Sequence, residues 1–355
     1  MKRKRYRVLP IALCLAAALC FSSYAAADPM VFDIHTEKQE AYLNDPDPAN
    51  MFDYAKGSKD YSQPEALECD FSEDGVEESE TYVFQKADNP EFTDALTIED
   101  LSKPSYDLYN LKLGEHFYWR GAASLENIEN SPVHEVVVDD QGPRVCLLEG
   151  VVNVRDIGGY DSYLADGGKI RQGLFYRGAK LNSIKRKGAP RLTDELGVKA
   201  EIDLRDLQQC TGPYVEGTEY YPVPIPSGTE DTRFEEFAEE YTQIFDVISG
   251  ADEAPVYLHC SAGADRTGLV SFMLLTVLGA DYEDIARDYM FTNFADQGKR
   301  EIDDLNTWWE KLQEFEGDTM ADKAAAWLMS KGVPEEQIET IRSIFVEGYG
   351  NDAQE

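Results

Sequence analysis

The pattern of apolar and polar positions changes character several times along the 355-residue chain. Val8 to Phe21 is an apolar stretch broken only by Pro10. Residues 28–60 show no sustained apolar period and are rich in Asp, Pro, Asn and Ser, with Asp45-Pro46-Asp47-Pro48 at the centre. That texture predicts an acidic flexible linker. Residues 61–148 hold short β-type runs between turn residues, predicting strands at Ala66–Phe71, Thr81–Gln85, His116–Ala122 and Glu135–Val138. Strand alternation places Phe117, Trp119 and Gly121 on one face of the third run and His116, Tyr118 and Arg120 on the other.

From 149 to 350 the pattern becomes α/β. Lys199–Leu204 and Pro255–His259 read as buried strands. Apolar spacing of helical period predicts helices at Asp194–Gly197, Phe234–Ile248, Thr267–Leu278, Tyr282–Asn293, Lys299–Phe315, Met320–Ser330 and Pro334–Val346. The expected architecture is therefore a small all-β domain followed by an α/β domain with a central sheet flanked by helices.

Composition sharpens this reading. With 68 acidic against 33 basic residues the net charge is −35, which argues against non-specific binding of nucleic acid or anionic membranes. The start of the chain is the exception. Lys2, Arg3, Lys4, Arg5 and Arg7 precede the apolar stretch, and Ala25-Ala26-Ala27 follows it as a small-x-small cleavage site. Residues 1–27 read as a cleavable signal peptide, since the apolar run is short of the ~20 residues that span a bilayer. The expected location is secreted or cell-envelope associated, with no integral membrane segment after cleavage. Cleavage leaves Cys69, Cys146, Cys210 and Cys260, too few for a disulfide scaffold. Cys69 reads as a buried thiol, with a Cys69–Cys146 bridge as the alternative. No cysteine or histidine cluster has metal-ligand spacing, so neither metal nor cofactor is expected.

The chemistry concentrates in His259-Cys260-Ser261-Ala262-Gly263-Ala264-Asp265-Arg266-Thr267-Gly268. An apolar strand, Pro255–His259, precedes the run and an apolar helix follows it. Successive N–H groups of such a strand-to-helix turn form an anion-binding nest, reinforced by the helix N-terminus. Gly263 lets the backbone curl. The donors of Ser261, Ala262, Gly263, Ala264, Thr267 and Gly268 that would hold a phosphate also favour a thiolate at Cys260. A thiolate can attack phosphorus, and Arg266 can bond two phosphate oxygens in a planar fork. His259 is expected to orient the loop. A leaving oxygen needs a proton donor; Asp265, Asp231, Glu230 and Asp203 are candidates, and Asp265 has helix capping as its alternative role. Cys210 is a candidate resolving partner for Cys260. From Gly167 to Arg191 the chain has eight basic residues and no acid, either a solvated basic loop or a rim that draws in polyanionic substrate. Arg177 is the member expected to reach the site.

Three ordered blocks accompany the loop: Asn153-Val154-Arg155-Asp156-Ile157-Gly158-Gly159-Tyr160, Gly173-Leu174-Phe175-Tyr176-Arg177 and Ile202-Asp203-Leu204-Arg205. Together they resemble the bacterial tyrosine/serine protein phosphatases, cysteine-dependent enzymes of dual or triple specificity like the secreted mycobacterial enzyme. The resemblance spans residue 150 to about 348. It implies a phosphocysteine mechanism with Cys260 as nucleophile, Arg266 as phosphate ligand and Asp265 as general acid, and it places Asn153, Arg155 and Asp156 against the loop. Ala264 departs from the family, which commonly has Lys there; that departure bears on phosphoinositide activity. Cysteine-type inositol-polyphosphate phosphatases share the Cys-x-x-Gly-x-x-Arg-Thr loop and remain an alternative, as does a non-catalytic module that binds phosphorylated ligands. Separately, Tyr109–Arg120 resembles the late strand of fibronectin-type-III-like sandwiches, which implies a spacer or a binding surface whose partner the sequence leaves open.

Overall fold

A computed structural model describes residues 29–226 and 234–350. The signal-peptide stretch and the acid candidates Glu230 and Asp231 lie outside the described residues. The first strand, β1 (Met30–Phe32), and helix α1 (Glu37–Leu43) fall inside the segment expected to be a linker. Strands β2 (Leu67–Asp70), β3 (Tyr82–Ala87), β4 (Leu96–Leu101), β5 (Ser105–Leu108), β6 (His116–Ala122) and β7 (His134–Val138) follow. One sheet has the order β1-β7-β6-β3-β4, and β2 pairs with β5 in a separate ladder. Leu67, Cys69 and Leu108 of the ladder pack against Phe84, Phe117, Trp119 and Val136 of the sheet. Burying the Phe117 face is what makes strand alternation legible here. Cys69 lies in this core as a free thiol, and Cys146, also free, lies in a different cluster.

Residues 29–60 do not form a tether. Thr36 caps α1 and Gln39 completes the capping box, and β1 pairs in parallel with β7. Tyr42, Leu43, Met51 and Ala55 sit in the core of the α/β domain. Arg287, reaching from that domain, donates to the carbonyls of Tyr42 and Asp45 at 3.2 and 2.6 Å. The surrounding acids and prolines had masked an apolar face that buries as well as any helix face.

The α/β domain continues with β8 (Arg144–Val145), β9 (Arg155–Asp156), β10 (Asp161–Ser162), β11 (Gly168–Lys169), β12 (Phe175–Gly178), β13 (Ala200–Asp203), β14 (Glu219–Pro222) and β15 (Val256–His259). Its main sheet has the order β14-β13-β15-β12-β9-β8. β12, β13, β14 and β15 run parallel, with Gly178 and Asp203 both in register with His259. The chain therefore leaves β12, β13 and β15 along one edge, where open α/β sheets carry their ligands. Helices α2 (Ala238–Ile248), α3 (Asp265–Val277), α4 (Tyr282–Phe291), α5 (Ile302–Leu312), α6 (Met320–Ser330) and α7 (Glu335–Phe345) pack around this sheet. α3 is buried along almost its whole length, which explains its nearly continuous apolar sequence. None of the helices among the described residues is long and apolar enough to cross a membrane.

Candidate active site

β15 ends at His259, and Cys260 to Ala264 curl from the sheet edge into the first turn of α3. Gly263 adopts φ +68°; a Cβ there would lie 2.3 Å from the Gly178 carbonyl oxygen. Only glycine permits both the left-handed turn and the close approach to β12.

The rear of the loop is fixed carbonyl by carbonyl. Asn153 Nδ2 donates to the oxygens of Ala262 and Gly263 at 3.0 and 3.1 Å, and Arg177 Nη2 donates to Gly263 O at 3.0 Å. In a planar trans peptide the N–H points opposite to the C=O. Holding these carbonyls behind the loop turns the N–H groups of Gly263 and Ala264 toward its front. Asn153 is itself in the left-handed region at φ +62°, a conformation that Asn tolerates better than most residues.

Behind Asn153 and Arg177 stands Asp288 of α4. Its carboxylate pairs with Arg155 Nε at 2.7 Å and with Arg177 Nη1, while Arg155 Nη1 donates to Asn153 Oδ1 at 2.5 Å. Burial opposes ionisation of Asp288, yet the two arginines hold its carboxyl below the usual range. Burial and the charge of Arg155 bring the Arg177 guanidinium down to about 10.

At the front, Cys260 is 2% exposed. Burial alone would raise its thiol; hydrogen bonds from the Thr267 hydroxyl and N–H, the Arg266 charge and the Ala262 N–H outweigh it and hold the thiol below its ordinary value. The Thr267 hydroxyl is buried with no other hydrogen bond, and its effect on the sulfur is to favour the thiolate. Arg266 Nη1 donates to the carbonyls of Leu204 and Ile225 at 3.0 and 2.9 Å. These bonds hold the guanidinium by one nitrogen and fix its plane. Buried His259 has Nε2 at 3.0 Å from Glu201 Oε1 and Nδ1 at 3.2 Å from the Cys260 carbonyl, an acceptor to which Nδ1 donates. Asp265, at the start of α3, makes no capping bond. Its two oxygens instead receive the Nε and Nη2 of Arg300, the second at 3.0 Å.

The arrangement joins a low-lying thiol, a ring of inward N–H groups, a helix N-terminus and an anchored guanidinium. The sequence pattern of the tyrosine phosphatase family matches residues 146–351, more than half of the chain.

The chain belongs to the tyrosine phosphatase family.

Among curated relatives, a Cupriavidus necator protein whose name assigns it provisionally to the tyrosine-protein phosphatases is 25% identical over 179 residues, covering 43% of this chain and 64% of that protein. The triple specificity protein phosphatase PtpB of Mycobacterium tuberculosis is 26% identical over 196 residues, covering 41% of this chain and 68% of that protein. Among solved structures, Pseudomonas aeruginosa TpbA matches at 19% identity and a TM-score of 0.27, covering 48% of this chain and 85% of that one. The core catalytic domain of the PP-IP phosphatase SIW14 from Saccharomyces cerevisiae, in complex with citrate, matches at 16% and 0.32, covering 47% and 98%. Similarity at those scores is too slight to locate a residue.

Within this family member, four expectations need correction. Arg177 does not reach the front of the loop: it is fully buried behind it and engaged by Asp288. Asp203 is no proton donor; Arg205 grips both of its oxygens at 2.9 and 2.7 Å, Tyr220 donates at 2.9 Å, and its carboxyl is held below the usual range by the Arg205 bonds despite burial. Asp156 faces away from the loop. It takes Arg144 Nη1 at 2.8 Å and the N–H groups of Gly158 and Gly173 at 2.8 and 2.6 Å, the opposite face of β9 from Arg155. Gly268 is not a phosphate donor by position: it is the fourth residue of α3, where the N–H turns back into the helix's own bonding. Cys210 is free, its thiol hydrogen turned to the Arg205 carbonyl at 3.2 Å. Among the described residues no cluster of three His, Cys, Asp or Glu side chains could hold a metal ion.

Asp288 and Arg300 went unforeseen. Asp288 carried a usable signal, an acid three residues after Ile285 and two before Met290 on the buried side of a helix, where a charge requires a partner. Arg300 carried none.

Proposed function

We propose that this protein hydrolyses phosphate monoesters through a phosphocysteine on Cys260. The observation that carries the reading is the buried thiol held below its ordinary value at the mouth of a nest whose N–H groups are forced inward. The Cys260 sulfur attacks phosphorus, the ester oxygen departs with a proton, and a water then cleaves the S–P bond to release phosphate. Arg266 and the loop N–H groups neutralise the oxygens throughout. The Thr267 hydroxyl stabilises the thiolate as it leaves. Asp265 is our candidate proton donor, partly exposed beside the loop; to donate, it must first part from Arg300.

Phosphotyrosine and phosphoserine in proteins are the proposed substrates. The rim beside the loop supports an anionic substrate. Lys180 adjoins the loop through its N–H, 3.5 Å from the Ser261 carbonyl, and Lys180, Lys185, Arg186 and Lys187 are all exposed on the stretch leaving β12. An inositol polyphosphate remains the second reading because the same cations suit it. We read the two facing sheets before residue 148 as a fibronectin-like spacer or binding unit, and residues 1–27 as an export signal on their sequence pattern.

Phosphate release from p-nitrophenyl phosphate, phosphotyrosine and phosphoserine peptides and inositol hexakisphosphate ranks the substrates. Highest kcat/KM on the peptides supports the protein phosphatase; highest on the inositol ester overturns it in favour of the second reading.

A further inference from the structure

Residues 55–62 lie outside the stretch matched by the family, yet they bond both to Asn153 and to the turn that carries Arg300. Gly57 N–H donates to Asn293 O at 2.8 Å, Gly298 N–H to Gly57 O at 2.9 Å, and Tyr61 N–H to Phe294 O at 2.7 Å. These bonds tie the strap to the turn that carries Arg300. The fit is tight: Gly57 has φ +66°, and a Cβ there would lie 2.3 Å from the Gly298 carbonyl oxygen. Asn293 clasps Arg300 in turn, accepting its N–H at 2.8 Å and donating to its carbonyl at 3.0 Å. Arg300 then grips Asp265.

At its other end the strap reaches Asn153. Ser62 is 3% exposed. Its single hydroxyl proton goes to Asp60 Oδ1 at 2.6 Å, so its oxygen faces the Asn153 N–H, 3.0 Å away, as acceptor. That bond holds the one residue of the brace with a left-handed backbone, and a strained conformation persists only where its surroundings over-determine it. α1 secures the strap from outside, Gln39 Nε2 donating to Tyr61 O at 2.6 Å and Gln63 O at 3.2 Å.

We propose that residues 55–62 are a positioning strap of the catalytic site, in which Ser62 sets Asn153 and, through it, the inward N–H groups around Cys260. The kinetic part of this proposal rests on the phosphatase reading; the geometric part does not. A scaffold strap would affect only stability, whereas a positioning strap acts on the sulfur.

The test is Ser62→Ala in the full chain, beside Ser62→Thr, which keeps the hydroxyl. Two readouts are taken: kcat/KM on p-nitrophenyl phosphate, and the rate of iodoacetamide alkylation at the Cys260 peptide by mass spectrometry. Alkylation is run near ~pH 6.5, where an ordinary thiol is almost wholly protonated. The alanine variant is expected to lose about tenfold in kcat/KM and to alkylate several-fold more slowly, with both restored in the threonine variant. A folded alanine variant with both rates unchanged overturns the proposal. If alanine unfolds the chain, Ser62→Cys fills the same space with a poor acceptor and carries the same two outcomes. Alkylation requires no turnover, so a wild-type protein without phosphatase activity would sink the phosphatase reading while leaving the strap testable on the thiol alone.

Discussion

At Arg266 one guanidinium nitrogen is occupied by the carbonyls of Leu204 and Ile225, which aims the side chain before any phosphate arrives. Lysine has neither the fork nor the second nitrogen needed to keep that aim while binding oxygen. Arg266→Lys is expected to keep the melting temperature and lose about 10²–10³-fold in kcat; turnover near the wild-type level would remove Arg266 from the chemistry. Asp265 presents a sharper test because Arg300 holds it as a pair. If it supplies the proton, Asp265→Asn slows phenyl phosphate far more than p-nitrophenyl phosphate, whose leaving group needs little help. Equal losses on the two esters would hand the role to another acid.

On the scale of elements, the site depends on α4 lending Asp288 to β9 and β12. Two buried arginines share that one carboxylate. Asp288→Asn leaves them undercompensated and is expected to cost about 3–5 kcal/mol of stability. Because the native carboxyl lies below its ordinary range, its stabilising share is complete above the unfolded value near ~4 and is lost as pH falls through the native one. Urea midpoints of wild type and Asp288→Asn should converge in acid and separate toward neutrality; a constant gap would contradict this role.

This division also explains what could be read in advance. The turn from β15 to α3 packs its chemistry into consecutive residues, so order and residue type reveal it. The brace behind it is assembled from Asn153, Arg177 and Asp288, brought together only by the sheet order and the packing of α4 against it. Arg177 was misplaced for that reason: a basic residue in a basic stretch looks solvent-facing until its buried partner is known. The segment read as a linker, 28–60, departs from expectation in the same way, because α1 buries Tyr42 and Leu43 among acids, and the Thr36–Gln39 capping box is the signal to weigh.

For the whole molecule, charge and continuity are the main features. A chain of net charge −35 repels anionic substrates at long range, and the exposed cations at 180–187, of which Lys180 adjoins the loop, oppose that field locally. Reversing Lys185, Arg186 and Lys187 to Glu is expected to raise KM for an acidic phosphopeptide about tenfold, with a far smaller change for p-nitrophenyl phosphate and a gap that closes in high salt. Equal changes on both substrates would mean that the rim acts on the loop and not on the substrate. Continuity matters because the N-terminal sheet, the strap and the α/β core share hydrogen bonds.

The central claim is the covalent chemistry of Cys260, and its most direct measurement is rapid acid quenching of the protein turning over p-nitrophenyl phosphate, with chelator present. Digestion and mass spectrometry then locate the phosphoryl group. The account predicts a phosphorylated Cys260 peptide in the wild type, and neither that peptide nor turnover in Cys260→Ser. Undiminished turnover in Cys260→Ser, or a phosphoryl group found on another residue, would contradict it.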